Sequence, residues 1–306
     1  MSKKIKGKEE FMSKIIDLLG SPYPIIQGAM GVICNPELVS AVSEAGGFGL
    51  LATTFTKEIE VLQSQVKATK AFTDKPFGAN LFVMNPLVEK FAKVLAEEGV
   101  KTVTVSGGSP KTLISLLHDL GMKAMVVVPT VEIAKGAEAL GADAVIAEGA
   151  ESGGVQGFRG ASTIVLVPAV ADSVKIPVIA AGGIADSRGY RAALALGAEG
   201  VQMGTRFIAS KECIAHPTYK QLLVGALETG TGLVNMTRFR MRVLRTLLVE
   251  KILKGEEPIN IAFTGEFMEE GWIKGNIEKS ILPAGEVAGI ISRVLSVREI
   301  IEEMVS

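Results

Sequence analysis

The sequence predicts an α/β chain folded as a (β/α)8 TIM barrel with a helical insertion after strand 8. Three observations carry this. Short β-branched runs, apolar on both faces, recur along the first two thirds of the chain; helical patterns that end in glycine lie between them; and there are eight such runs. A strand apolar at consecutive positions is buried on both faces, as a parallel sheet wrapped in helices requires.

In order, the strands are PIIQ (24–27), FGLLAT (48–53), FGANLFV (77–83), KTVTVS (101–106), KAMVVV (123–128), AVIAE (144–148), PVIAAG (177–182) and GVQMG (200–204). Between them run PELVSAVSEAG, EVLQSQVKAT, PLVEKFAKVLAEEG, SPKTLISLLHDLG, TVEIAKGAEALG, TIVLVPAVADSV and SRGYRAALALG. Most place apolar residues three and four apart and stop at glycine, which accepts the left-handed conformation that ends a helix. GADAV (141–145) and GAEGV (197–201) repeat one local device: a helix-ending glycine, a short loop and a buried strand. An open doubly wound sheet is the rival arrangement, but its GxGxxG fingerprint is missing after the first strand.

Past the eighth run the pattern changes. TYKQLLVGALE and FRMRVLRTLLVEKILKG read as helices, and GEVAGIISRVLSVREIIEEMV reads as a closing amphipathic helix over 285–306. The expected organisation is a barrel made of 1–212 plus 283–306, with 213–282 a helical insertion beside its mouth. Met12 offers an alternative start, which would leave residues 1–11 as a leader.

Composition narrows the function classes. Lys plus Arg at 32 nearly balances Asp plus Glu at 33, so no global field favours nucleic acid or an anionic membrane. Aromatics make up 5% with no interleaved stacking pattern, which also argues against nucleic acid. Two cysteines, Cys34 and Cys213, lie far apart without a CxxC, as suits a reducing compartment, and the cytoplasm is expected. With His118 and His216 the only histidines, a His-rich metal site is excluded by counting. No apolar run approaches the length of a membrane span.

In a (β/α)8 barrel the site lies at the carboxyl ends of the strands, and phosphate is commonly held by the loops after strands seven and eight. Reading the residues that follow each run gives Gly28 to Gly31, Asn80, Ser106 to Gly108, Glu148 with the loop ESGGVQG (151–157), Gly182 to Asp186, and Met203 to Arg206. The glycines of AAGGIAD and MGTRF let backbone amides approach an anion, so a phosphorylated ligand is expected there. Tight βα turns alone are the structural alternative.

The set PIIQGAMG, AVSEAGGFG, DKPFGANL, GADAVIAEGAESGG, IPVIAAGGIAD, GAEGVQMGTRF with KECIAHPTYK, and the late GEVAGII resembles the nitronate monooxygenase (2-nitropropane dioxygenase) family, which includes the flavin-dependent enoyl-ACP reductase II. The similarity runs from about residue 20 to the C-terminus. It implies an FMN-bearing barrel, with the phosphate on Gly182, Gly183, Gly204 and Thr205. It also implies a flavin ring over Gly28, Ala29 and Met30, flanked by Asn80. Gly153 and Gly154 would bring their loop close to the ring, and Lys123 and Gln202 match positions that line the flavin or its ribityl chain. GEVAG resembles a GQxAG turn that closes over the cofactor, with Glu286 in place of the amide.

One departure bears on mechanism. The family usually places a histidine after the paired glycines, where it moves a proton, whereas this chain has Val155. Glu148 and Glu151 are the titratable candidates nearby, and Gln156 can orient a carbonyl or nitro oxygen without acting as a base. Either glutamate could instead accept amide hydrogen bonds and stiffen the loop. Arg159 could stabilise a developing anion.

The activity implied by the resemblance is oxidation of alkyl nitronates. The alternatives are NADH- or NADPH-dependent reduction of an enoyl-ACP thioester or another acceptor, a phosphate-binding isomerase or synthase without flavin, and a flavin binder with little turnover. The expected partners are a small-molecule substrate, an acyl carrier protein and a second copy of the chain as a homodimer. Arg238, Arg242 and Arg245 read as one face of a helix, with Arg240 opposite, that would receive a carrier protein or a solvated set of counter-charges. Cys34 reads as a packing residue, and His216 as a polar contact at the mouth or a helix start fixed by Pro217. His118 reads as a helix-end imidazole. Met84, Met125 and Met236 would line an apolar pocket or fill gaps.

Overall fold

In a computed structural model, which describes residues 14–259 and 261–306, eight parallel strands form the barrel. They are β1 (Ile25–Gln27), β2 (Leu50–Ala52), β3 (Gly78–Phe82), β4 (Thr102–Ser106), β5 (Lys123–Val128), β6 (Ala144–Glu148), β8 (Val178–Ala181) and β9 (Gly200–Met203), with β7 (Gly154–Gln156) set apart in the loop after β6. Their order is β1-β9-β8-β6-β5-β4-β3-β2, and the two ends meet where Ile26 bridges Phe48 and the Phe48 N–H donates to the Ile25 carbonyl at 2.9 Å. All eight strands lie within the runs named from sequence. Met12 and residues 1–11 fall outside the described residues.

Side chains alternate between two cores, as the period of two along a strand demands. Ile26, Leu50, Met125, Ile146 and Ile179 point into the barrel, whereas their neighbours Ile25, Leu51, Val126, Val145 and Ala180 meet the helices outside. A helical segment at 14–19 sends Ile15 and Leu19 into the inner core, while the Thr102 hydroxyl donates to the Leu18 carbonyl. That segment packs into the amino-terminal end of the barrel, and the deep cavity described below opens at the opposite end.

The segment expected to be wholly helical is mixed. It carries the helices Pro217–Val224, Leu247–Lys254 and Gly265–Trp272, and also the strands β10 (Thr231–Asn235) and β11 (Arg240–Leu244). These pair antiparallel with each other and, through β11, with β7, giving a three-stranded sheet of order β10-β11-β7. The single helix read over FRMRVLRTLLVEKILKG is thus corrected to a strand followed by a helix. Arg240, Met241, Arg242 and Val243 alternate polar and apolar, which is the strand period, and the helix begins only where Thr246 accepts from the Val249 N–H and ends at Gly255 with φ 76°.

The basic helix face falls with it. Arg242 lies on a strand and is 9% exposed, Arg240 donates to the Gly157 carbonyl, and Arg245 pairs with Glu250. The closing helix is also shorter than expected: a 3-10 turn spans Glu286–Ile290 and the helix runs Val297–Val305. Ser296 and Glu299 form a capping box that fixes that start, and Gly289 passes so close to Glu228 that a Cβ would lie 2.4 Å from its Cα.

Among the described residues no helix is long and apolar enough to cross a membrane, and no cluster of His, Cys, Asp or Glu could hold a metal ion.

Candidate active site

A cavity of about 730 Å³ opens at the carboxyl ends of the strands. Its floor is built from the residues that follow β1, β3, β6, β8 and β9, and its roof from Met241, Phe263 and Trp272 of the inserted segment. Gly28, Ala29, Met30, Asn80, Glu148, Glu151, Gly153, Gly154, Val155, Gln156, Arg159, Gly182, Gly183, Gln202, Gly204 and Thr205 all line it. The fold therefore gathers at one mouth residues far apart in the chain, Gly28 and Thr205 being separated by 177 positions.

On one wall, Gly28 donates to the Met203 carbonyl at 2.9 Å, and a Cβ there would lie 3.1 Å from the Gln202 side chain. The buried Asn80 amide is fixed from both ends: it donates to Thr104 Oγ1 at 2.9 Å and accepts from Ser106 Oγ at 3.1 Å. Its orientation is set before any ligand arrives. Cys34 packs behind this wall, with the Met30 N–H 2.8 Å from its sulfur, and burial pushes its thiol up to about 12, so it is an inert packing group.

Opposite, Gly182 and Gly183 have φ of 85° and 72°, a region costly for any other residue, and a Cβ on Gly182 would sit 2.9 Å from the Gly149 carbonyl. Gly204 stands at the start of the short helix Thr205–Ile208, whose first amides have no intrahelical acceptor. Two glycine turns and a helix start facing one space form a cradle that fits a phosphate, and bulk at the glycines would close it.

The loop after β6 is held as a rigid edge. A Cβ on Gly153 would lie 2.6 Å from the backbone of Ala284 and Gly285, so only glycine lets the loop pass the closing turn. The Glu286 N–H donates to the Glu151 carbonyl at 2.9 Å, and the Gly285 N–H donates to Thr205 Oγ1 at 2.9 Å. The GEVAG turn thus ties the β6 loop to the phosphate cradle. Glu286 itself turns away to Arg242, 2.9 Å distant.

The two glutamates part company. Glu151 accepts from the Thr163 N–H at 2.8 and 3.0 Å and from its hydroxyl at 2.9 Å, so its carboxylate anchors the start of the helix Thr163–Ala171. Gln156 donates to the Ala150 and Ser152 carbonyls, so its amide is likewise spent on the loop. Both line the cavity while their hydrogen bonds stiffen the loop, the structural alternative that the sequence also offers. Glu148 is different: burial raises its carboxyl to about 7, with only a Ser152 hydrogen bond working the other way. It is the one candidate poised to exchange a proton near neutral pH.

That shift makes a stability prediction. The folded protein favours neutral Glu148, so the advantage is complete below the ordinary value of 4.5 and is lost as pH rises toward 7. Glu148→Gln is expected to flatten the decline in unfolding free energy over that window and to exceed the native protein in stability at pH 8; parallel denaturation curves from pH 4 to 8 check it.

Lys123 does not reach the site. It begins β5, and so lies at the plugged amino-terminal end, paired with Asp143 at 3.0 Å. Val127 and Pro129, at the other end of β5, line the cavity in its place. His118 also bonds Asp143 on that far face, and His216 caps Pro217–Val224 by accepting from the Thr218 N–H. Met125 is core, Met236 packs in the inserted segment and Met84 is exposed; Met30, Met203 and Met241 are the methionines at the cavity. Phe55, Phe263 and Trp272 were missed, because aromatics arriving from loops and the insertion carry no periodic signal.

Glycine turns and a helix start at the ends of the last two barrel strands, beside a deep cavity, are the arrangement with which barrel enzymes commonly hold a phosphorylated ligand. A family model described as nitronate monooxygenase matches residues 12–96 and 85–306. The solved FabK from Thermotoga maritima is 40% identical, with TM-score 0.88, covering 95% of this chain and 94% of that one. Nitroalkane oxidase from Streptomyces ansochromogenes is 29% identical, with TM-score 0.82, covering 95% and 96%. A curated relative from Mycobacterium tuberculosis, (3aS,4S,5R,7aS)-5-hydroxy-7a-methyl-1-oxo-octahydro-1H-indene-4-carboxyl-CoA dehydrogenase, is 33% identical over 95% of this chain and 94% of its own length. The chain belongs to the nitronate monooxygenase family, and is a flavin-dependent oxidoreductase.

Proposed function

We propose that the cavity holds FMN, its phosphate on the amides of Gly182, Gly183, Gly204 and Thr205, and that the enzyme oxidises alkyl nitronates. When bound, the flavin supplies two-electron redox chemistry and passes the electrons on to oxygen. The chain's own work is positioning and exclusion. Gly28 and Gly153 let the backbone come close, Asn80 presents a fixed amide, and Met241, Phe263 and Trp272 keep water from the roof.

Val155 is the observation that carries the choice of substrate. An isopropyl group moves no proton, and a nitronate arrives already deprotonated, whereas a neutral nitroalkane needs a base. The remaining proton traffic falls to Glu148, buried and near neutral in its titration.

A second reading is favoured by the likeness to FabK: reduction of an enoyl thioester with NADH or NADPH as donor. One experiment separates the two. In anaerobic titration of the purified protein, flavin bands bleached by an alkyl nitronate and untouched by NADH or NADPH support nitronate oxidation. Bleaching by NADH or NADPH alone transfers the proposal to thioester reduction, and a protein that takes up no FMN refutes both.

A further inference from the structure

The cavity continues past the flavin cradle and out through the barrel wall. Its lining leaves the strand ends at Pro110, Val127 and Pro129 and runs on along Ile133, Ala137 and Leu140 of the helix that begins after β5. The path runs between two neighbouring helices: Pro110 precedes Lys111–Asp119 on one side, and Ile133 and Ala137 belong to Val131–Ala139 on the other.

Along the gap Ile133 is 43% exposed and Leu140 36% exposed, at the three- and four-residue spacing that puts them on one helix face. Gly136 lies between them and also lines the cavity, and a Cβ placed on it would meet nothing within 4 Å. A glycine inside a helix costs stability, and nothing in the packing here requires one; what it provides is depth in the groove. None of the seven residues named along this path carries a charge. The far end is stopped where Gly141 approaches Ile114 and His118 of the facing helix.

We infer that this groove is a subsite for the unbranched aliphatic tail of the substrate, kept open by Gly136. The seven helical steps from 133 to 140 advance about 10 Å. A zigzag of 1.52 Å bonds covers that in roughly eight carbons. The tail would lie on apolar side chains with one flank open to water, while its polar head stays at the strand ends. The inference rests on the reading that the inner cavity holds the flavin, but not on whether the head is a nitronate or a thioester.

Isothermal titration of the flavin-loaded protein with butanoate, hexanoate, octanoate and decanoate reads the groove without turnover. Affinity is expected to rise about twofold per methylene, half-open burial falling short of the fourfold of full burial, and to level off near ten carbons. Gly136→Trp should weaken decanoate binding at least tenfold and leave butanoate unchanged. Gly136→Ala, which favours the helix and adds one methyl group, should keep the chain-length trend and serve as the folding control.

An equal trend in the native protein and Gly136→Trp, or no trend in the native protein, overturns the inference. So does a native dimer in sedimentation that Gly136→Trp dissolves, because the groove is then an interface between copies. If nitronates fail to bleach the flavin while the tail dependence is present and lost in Gly136→Trp, the substrate head has been misread and the tail subsite stands.

Discussion

Replacing Val155 by histidine is expected to raise turnover of a neutral nitroalkane about a hundredfold, the usual worth of a positioned proton acceptor, and to leave the preformed nitronate nearly unchanged. Val155 sits in β7 directly across from Met241 of β11, and both side chains line the cavity, so an imidazole there would face the reacting space. The measurement is kcat/KM for one nitroalkane and its nitronate, in the native and Val155→His proteins. A parallel rise for both substrates would mean that the histidine acts on something other than the proton. No rise for either would remove proton transfer at this position from the mechanism.

Arg242→Ala is expected to cost about 2 kcal/mol of stability and to weaken flavin retention about tenfold. Arg242 reaches three elements at once. It donates to the Ala150 carbonyl at 3.0 Å in the β6 loop, to Thr231 Oγ1 at 3.4 Å in β10, and pairs with Glu286 at 2.9 Å in the closing turn. Its side chain is 11% exposed and that of Glu286 45%, so Glu286 falls back on water when the arginine goes, which keeps the loss below that of a fully buried pair. Urea denaturation with Arg242→Ala, Glu286→Gln and the double variant should give a coupling under about 1 kcal/mol. An Arg242→Ala protein as stable as the native one would show that the three elements hold together without it.

The barrel was legible in the sequence because each strand is buried on both faces and most of the helices between strands stop at glycine; β1 through β6, β8 and β9 all fall where apolar runs were read. The glycine turns after β8 and β9 were legible for the related reason that glycine marks a close approach of backbone. The inserted sheet was not. Arg238, Arg242 and Arg245 can be laid on a helix by spacing alone, and the alternation of Arg240, Met241, Arg242 and Val243 was the competing signal that tertiary pairing selected. Ser296 and Glu299 likewise announced the true start of the last helix. Lys123 came from the family likeness alone: as the first residue of its run it already stood at the end of the strand away from the site. Glu151 and Gln156 were placed correctly in the loop, but which hydrogen bonds absorb them could not be read from a linear chain.

The pairing of β7 with β11 makes register a tuning device. With Met241 opposite Val155, a thioether meets the cavity and Arg242 is turned to Ala150 and Glu286. Sliding β11 by one residue would exchange those directions, bringing a guanidinium to the reacting space and a methionine to the clasp. A one-residue slip of β11 against β7 would thus make the roof cationic, whereas extra residues absorbed by the turn between Asn235 and Arg240 would leave it apolar.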